Sequence, residues 1–212
     1  MAKVHPNTEE NCVDSIEVDA GGRKDKSRVL TVWRKSLLFG CRGFTVFDEE
    51  GNLVFRVDNY GSGRAGEIVL MDAAGKPLLT IRRKKLSLGE NWKVYNGEDA
   101  VDPLYSVKKK YASRLRAKAA LARVADCRRR GGCGAAAGYE VEGSYYRRSC
   151  TVYDERRRAV AEVRRKEAAR GVGFGDDVYC LVVQPAADAC LAMAVVVVLD
   201  QMFRSRISLI KD

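Results

Sequence analysis

The stretch Leu191–Phe203, "LAMAVVVVLDQMF", is the most apolar part of a chain that is otherwise charged and basic. Either it spans a membrane or it fills the middle of a folded domain, and the choice decides the architecture. Its uninterrupted apolar run goes from Ala189 to Leu199. As a helix rising about 1.5 Å per residue, that run covers roughly 16 Å, about half of a ~30 Å hydrocarbon core. Asp188 and Asp200 bound it on either side, and a carboxylate is costly in hydrocarbon. Consecutive valines are mediocre helix formers in isolation, but packing overrides propensity. Pro185 is a plausible start, and Asp188 suits the first turn. The segment Ala187 to Leu199 is therefore expected to be a buried helix and not a transmembrane span. A helix apolar on every side needs a surrounding wall.

The rest of the chain supplies that wall. Most of it alternates polar and apolar residues with period two, the strand signature. Two segments superpose: "FTVFDEEGNLVFRV" (Phe44 to Val57) and "IVLMDAAGKPLLTI" (Ile68 to Ile81). Asp48 falls on Asp72 and Gly51 on Gly75. A third copy, "CTVYDERRRAVAEV" (Cys150 to Val163), keeps Asp154 but carries Arg157 at the glycine position. Each reads as strand, Asp-led turn, strand. The Asp can bond the turn backbone, and glycine can take positive φ. Hairpins in series imply a largely antiparallel sheet.

About a dozen strands are expected, beginning near Arg28, Gly43, Leu53, Glu67, Pro77, Asn91, Pro103, Arg114, Gly138, Ser149, Arg158 and Asp177. Turns every ten residues or so are the spacing of a barrel or sandwich. "RLRAKAALARV" (Arg114 to Val124) holds strong helix formers, yet its first half alternates basic and apolar residues and is assigned as a strand. The reading is mainly β: about a dozen antiparallel strands, which could close into a barrel around a central hydrophobic C-terminal helix. One domain covers residues 28–204, with a basic glycine-rich loop at 127–138. Residues 1–27 read as a polar, disordered tail and 205–212 as a short C-terminal one.

Composition narrows the function classes. The 212 residues are 46% apolar and 31% charged, with a net charge of +10. A basic surface favours acidic partners such as nucleic acid or an anionic membrane, though it can also serve solubility alone. Seven cysteines occur without a C-x-x-C pair, and the single histidine, His5, lies in the polar tail. No zinc-ligand set is spelled out. The thiols read as reduced, mostly buried small hydrophobes. The first residues lack the apolar core of a signal peptide, so the cytosol or nucleus is expected.

Enzymatic constellations are absent from the sequence. "GSGRAG" (Gly61 to Gly66) matches G-x-G-x-x-G, but a dinucleotide site needs a helix after it. The residues that follow alternate and turn like a hairpin. A nucleophilic Cys or Ser needs a base, and His5 is badly placed to be one. Glu49/Glu50 and Asp176/Asp177 are adjacent pairs, which in a strand point to opposite faces. No catalytic residue, metal site or cofactor is assigned, and no enzymatic activity is expected.

"LTVWRKSLLFGCRGFTVFDEEGNLVFRVDNY" and "LMDAAGKPLLTIRRKKLSLGENWKVYNGE" closely resemble the plant LURP-one-related family. So do "YEVEGSYYRRSCTVYDERRRAVAEVRRK" and "LVVQPAADACLAMAVVVVLDQM". The resemblance spans roughly Val29 to Met202. It implies the tubby C-terminal and phospholipid-scramblase fold, a twelve-stranded barrel around a helix, which the strand count reaches independently. It brings no catalytic residues. Scramblases are associated with calcium beside the final helix, but that neighbourhood here offers only Asp188. Tubby-like domains bind phosphoinositide headgroups through surface Lys and Arg, which implies the same ligand class here. A role in plant defence signalling is implied in the same way.

Six basic clusters could supply such a surface: Arg82 to Lys85, Lys108 to Lys110, Arg128 to Arg130, Arg147/Arg148, Arg156 to Arg158 and Arg164 to Lys166. The candidate lipid-binding residues are Arg82, Arg83, Lys84, Lys85, Lys108, Lys109 and Lys110. Strand alternation should put about half of each cluster on one face. The expected partner is an anionic lipid headgroup, met peripherally at the plasma membrane, or a partner protein. The alternative is a nuclear or membrane-tethered regulator whose basic surface touches DNA. A ligand-binding or enzymatic barrel is disfavoured, because the central helix occupies the lumen.

Overall fold

The computed structural model describes residues 26–38, 42–59, 66–84, 89–98, 101–110, 120–128, 138–166 and 175–204. Both expected tails (apart from residues 26 and 27), most of "GSGRAG" and the interior of the basic glycine-rich loop lie outside these residues. Among the described residues twelve strands precede one helix: β1 (Arg28–Trp33), β2 (Arg42–Phe47), β3 (Leu53–Asn59), β4 (Glu67–Asp72), β5 (Pro77–Arg83) and β6 (Asn91–Asn96), then β7 (Pro103–Lys109), β8 (Ala120–Asp126), β9 (Gly138–Ser144), β10 (Ser149–Tyr153), β11 (Ala159–Arg165) and β12 (Val178–Val183), and finally α1 (Ala189–Arg204). Each strand pairs antiparallel with its neighbours in sequence, and β1 pairs with β12 to close the barrel. Closure leaves no free sheet edge.

Every strand turns alternate apolar residues inward. Leu30 and Val32 of β1, Ile81 of β5, Val94 of β6, Val107 of β7 and Leu181 of β12 are all at most 1% exposed. They join one core with Leu191 to Leu199 of α1. The helix fills the lumen, so its apolar faces meet barrel wall on all sides. No helix among the described residues is long and apolar enough to cross a membrane.

The hairpin repeat sets the turns. The backbone N–H groups of Asn52, Lys76 and Arg158 donate to Oδ1 of Asp48, Asp72 and Asp154 at 2.7, 2.8 and 2.8 Å. Gly51 and Gly75 take φ of 86° and 89°, and Arg157 takes 61°. In all three hairpins the ladder shifts register just before the turn. The third copy therefore keeps the turn despite its arginine.

Two expectations shift. The helix begins two residues later than expected and extends to Arg204, so Asp188 is its N-cap rather than a first-turn residue. Asp188 Oδ1 accepts from the N–H of Cys190 at 2.8 Å and of Leu191 at 3.2 Å, satisfying two of the helix's orphan donors. The described part of "RLRAKAALARV" is strand β8 from Ala120 onward, while Arg114 to Ala119 lie outside the described residues.

Candidate functional site

Strand register divides the basic clusters into those on the flank and those turned inward. Lys108 of β7 stands directly opposite Arg123 of β8. On its other side it faces Asn91 of β6, whose carbonyl accepts from the N–H of Lys84 at 2.9 Å. Lys84, just past the end of β5, Asn91, Lys108 and Arg123 thus form one outward row, which the register continues to Glu140 of β9. Asn91 is buried and its Oδ1 accepts from Ser106 Oγ at 3.2 Å, so the row's surface is cationic. Lys84, Lys108 and Arg123 are exposed, and none has a carboxylate partner among the described residues. Like charges directly opposite across an antiparallel pair repel, with Cβ atoms about 4.5–5.5 Å apart. Glu140 of β9 stands opposite Arg123 on its other side but is engaged by Lys110 and Arg157, so a bound anion would relieve the repulsion between Lys108 and Arg123.

The other expected residues are placed as follows. Arg82 faces outward but is committed: its Nε donates to Glu67 Oε2 at 2.8 Å, and its guanidinium lies 5.6 Å from the Tyr95 ring centre. Arg83, at the end of β5, is exposed with no carboxylate partner among the described residues. Lys85 lies outside the described residues. Lys110 pairs with Glu140 at 3.1 Å at the edge of the row. Lys109 points inward, its side chain only 7% exposed. Its ammonium donates to Glu90 at 2.9 Å and to the Met202 carbonyl at 2.8 Å, and sits 4.6 Å from the Phe203 ring centre. It caps the C-terminus of α1, where a cation also meets the negative end of the helix dipole. Arg123 was missing from the sequence reading. Hairpin register with β7 was the signal that could have found it.

A second charged group closes the barrel end at the helix C-terminus. Asp200 is 1% exposed. It accepts from Tyr145 Oη at 3.2 Å and lies 3.5 Å from Arg34 Nη1. Arg34 also pairs with Asp177. Arg148 is buried between the rings of Tyr145 and Tyr179, at 4.5 and 4.3 Å, and donates through Nε and Nη2 to the Asp176 carbonyl. Burial pushes the Tyr179 phenol up to about 12 and holds Tyr145 well above its ordinary value. Both stay protonated at neutral pH and act as donors in a packed network. Burial likewise pushes the Cys150 thiol up to about 12, which removes it as a nucleophile.

Several comparisons place the chain among known proteins. The family profile described as LURP-one-related matches residues 28–200. Protein LURP-one-related 8 of Arabidopsis thaliana is 48% identical over 208 residues, covering 97% of this chain and all of the relative. Protein LURP-one-related 17 of the same plant is 39% identical, covering 93% and 92%. The X-ray structure of another Arabidopsis thaliana protein superposes with a TM-score of 0.60 at 26% identity, covering 84% of this chain and 91% of that one. The closed barrel, the helix in its lumen and the match along nearly the whole chain agree: this protein belongs to the LURP-one-related family.

Proposed function

We propose that this chain is a non-enzymatic, tubby-like binding module whose ligand is the anionic headgroup of a membrane phospholipid. Phosphoinositide is the favoured class. The observation that carries the reading is the Lys108/Arg123 couple, which makes no salt bridge among the described residues and is flanked by Lys84 on the same face. Arg forks and Lys heads suit phosphate oxygens. Arg83 and Lys110 stand at the margin, and Arg82 and Lys109 serve structure. The protein would act in the cytoplasm or nucleus and attach peripherally at the plasma membrane. A part in plant defence signalling follows from the family resemblance.

A lipid panel run beside a duplex-DNA assay at matched salt tests this. Preference for a polyphosphoinositide over phosphatidylserine at equal total charge supports a headgroup site. Equal binding to both lipids, with tighter binding to duplex DNA, would move the assignment to a nuclear regulator. Salt alone does not discriminate, because raised salt weakens both interactions.

A further inference from the structure

We propose that the barrel seats end-on on an anionic bilayer, with Trp33, Leu37 and Tyr146 entering the interfacial layer. This rests on the headgroup reading and adds a second, apolar contact to it. Trp33, Leu37 and Tyr146 are 37, 50 and 47% exposed, and Val101 is the one other large hydrophobic as exposed among the described residues. Antiparallel order puts the β1–β2, β9–β10 and β11–β12 connections at one end, the end where α1 finishes. Contacts tie these connections together. Arg34 pairs with Asp177, Arg148 donates to the Asp176 carbonyl, and Tyr146 Oη donates to the Phe203 carbonyl. Val101 lies at the opposite end.

The chemistry at this end fits a lipid interface. Trp and Tyr present an apolar body with a polar handle, the combination enriched at membrane–water boundaries. Lys35 lies 5.1 Å from the Trp33 ring centre. Lys35, Arg42 and Arg147 are exposed there without carboxylate partners among the described residues. Among the described residues the exposed carboxylates of this end, Asp176 and Asp177, each face an arginine. The opposite end exposes Glu49, Glu50, Glu98, Asp102 and Glu155 interspersed with Lys76, Arg128, Arg156 and Arg158, so its charge is mixed. Lys108 lies one residue from the end of β7 on the favoured side, so one bilayer plane can meet the flank row and the apolar rim together.

The test uses phosphatidylcholine vesicles with and without phosphatidylserine. The chain has two tryptophans, and Trp92 is buried, so Trp92→Phe leaves Trp33 as the sole reporter. If that variant fails to fold, the difference between wild type and Trp33→Phe reads the same signal. Binding to the anionic vesicles should shift Trp33 emission to the blue and allow quenching by brominated acyl chains. Trp33→Ser and Leu37→Ser should each weaken binding about tenfold, as expected for withdrawing one large apolar side chain, with unchanged thermal unfolding. If Lys108→Glu/Arg123→Glu abolishes binding while Trp33 emission stays fixed and both Ser variants bind normally, end-on seating is overturned and the headgroup reading stands. A quenched Trp33 with an ineffective flank reversal supports the seating and removes the flank site. A blue shift produced by raised protein concentration without vesicles makes the rim a protein-contact face and overturns the proposal. Absence of binding to the anionic vesicles overturns the end-on seating, while the headgroup reading stands or falls with the polyphosphoinositide panel.

Discussion

At the scale of single residues, burial decides chemistry. Cys150 is almost fully enclosed, and burial pushes its thiol up to about 12. It should resist maleimide at pH 8 in the folded protein and react after denaturation, which mass spectrometry of the labelled chain would read. The same shift makes stability depend on pH. A thiol whose folded value exceeds its unfolded one contributes fully below the unfolded value, which is 9.0. That contribution is lost as pH rises towards about 12. Tyr179 acts in the same direction from 10.0 upward. The urea midpoint should therefore fall between pH 8.5 and 10.5; a rise would contradict these burial assignments. Asp200 is the other residue whose setting matters. Its sequence role was to bound an apolar run, whereas its fold role is to receive Tyr145 and face Arg34. Asp200→Asn should cost about 2 kcal/mol by chemical denaturation, less than a sole buried pair because Arg34 keeps Asp177.

At the scale of elements, the helix is held by its caps as well as by its faces. Asp188 satisfies the first turn, and Asp188→Ala should cost about 1 kcal/mol. Lys109 and Tyr146 satisfy carbonyls at the last turn. The sequence of α1 already showed that it had to be buried, because it is apolar all round and short for a bilayer. Its last turn was not legible, since "DQMFR" is amphipathic and its partners come from β7 and the β9–β10 turn. Val197 is fully buried in the lumen. Val197→Asp should prevent folding, because an unpaired buried charge costs several kcal/mol. Loss of the cooperative thermal transition, seen by circular dichroism, checks this. The hairpins were legible for a local reason: Asp48, Asp72 and Asp154 each organise their own turn. The persistence of that turn at Arg157 shows the aspartate bond and the flanking strands holding a left-handed φ without glycine.

At the scale of the whole molecule, the architecture could be read from alternation and turn spacing, because both are local signals. The surface could not. Two clusters that look alike in sequence, Arg82 to Lys85 and Lys108 to Lys110, are divided residue by residue according to strand face. Arg82 is absorbed by Glu67, Lys109 by the helix end, and Lys84 and Lys108 have no carboxylate partner among the described residues. Arg123 completes the row only through cross-strand register. Recognition of an anionic headgroup by that row is the central claim. The direct measurement is the affinity of Lys108→Glu/Arg123→Glu for polyphosphoinositide vesicles, set beside Lys109→Met. Each cation near an anionic surface contributes about 1 kcal/mol, so the double reversal should weaken binding roughly thirtyfold or more at unchanged thermal stability. Lys109→Met should lower thermal stability and leave the affinity of the folded protein within about twofold, as an inward-facing cap requires. Equal affinity of the double reversal and the wild type, or a larger loss from Lys109→Met, would contradict the claim.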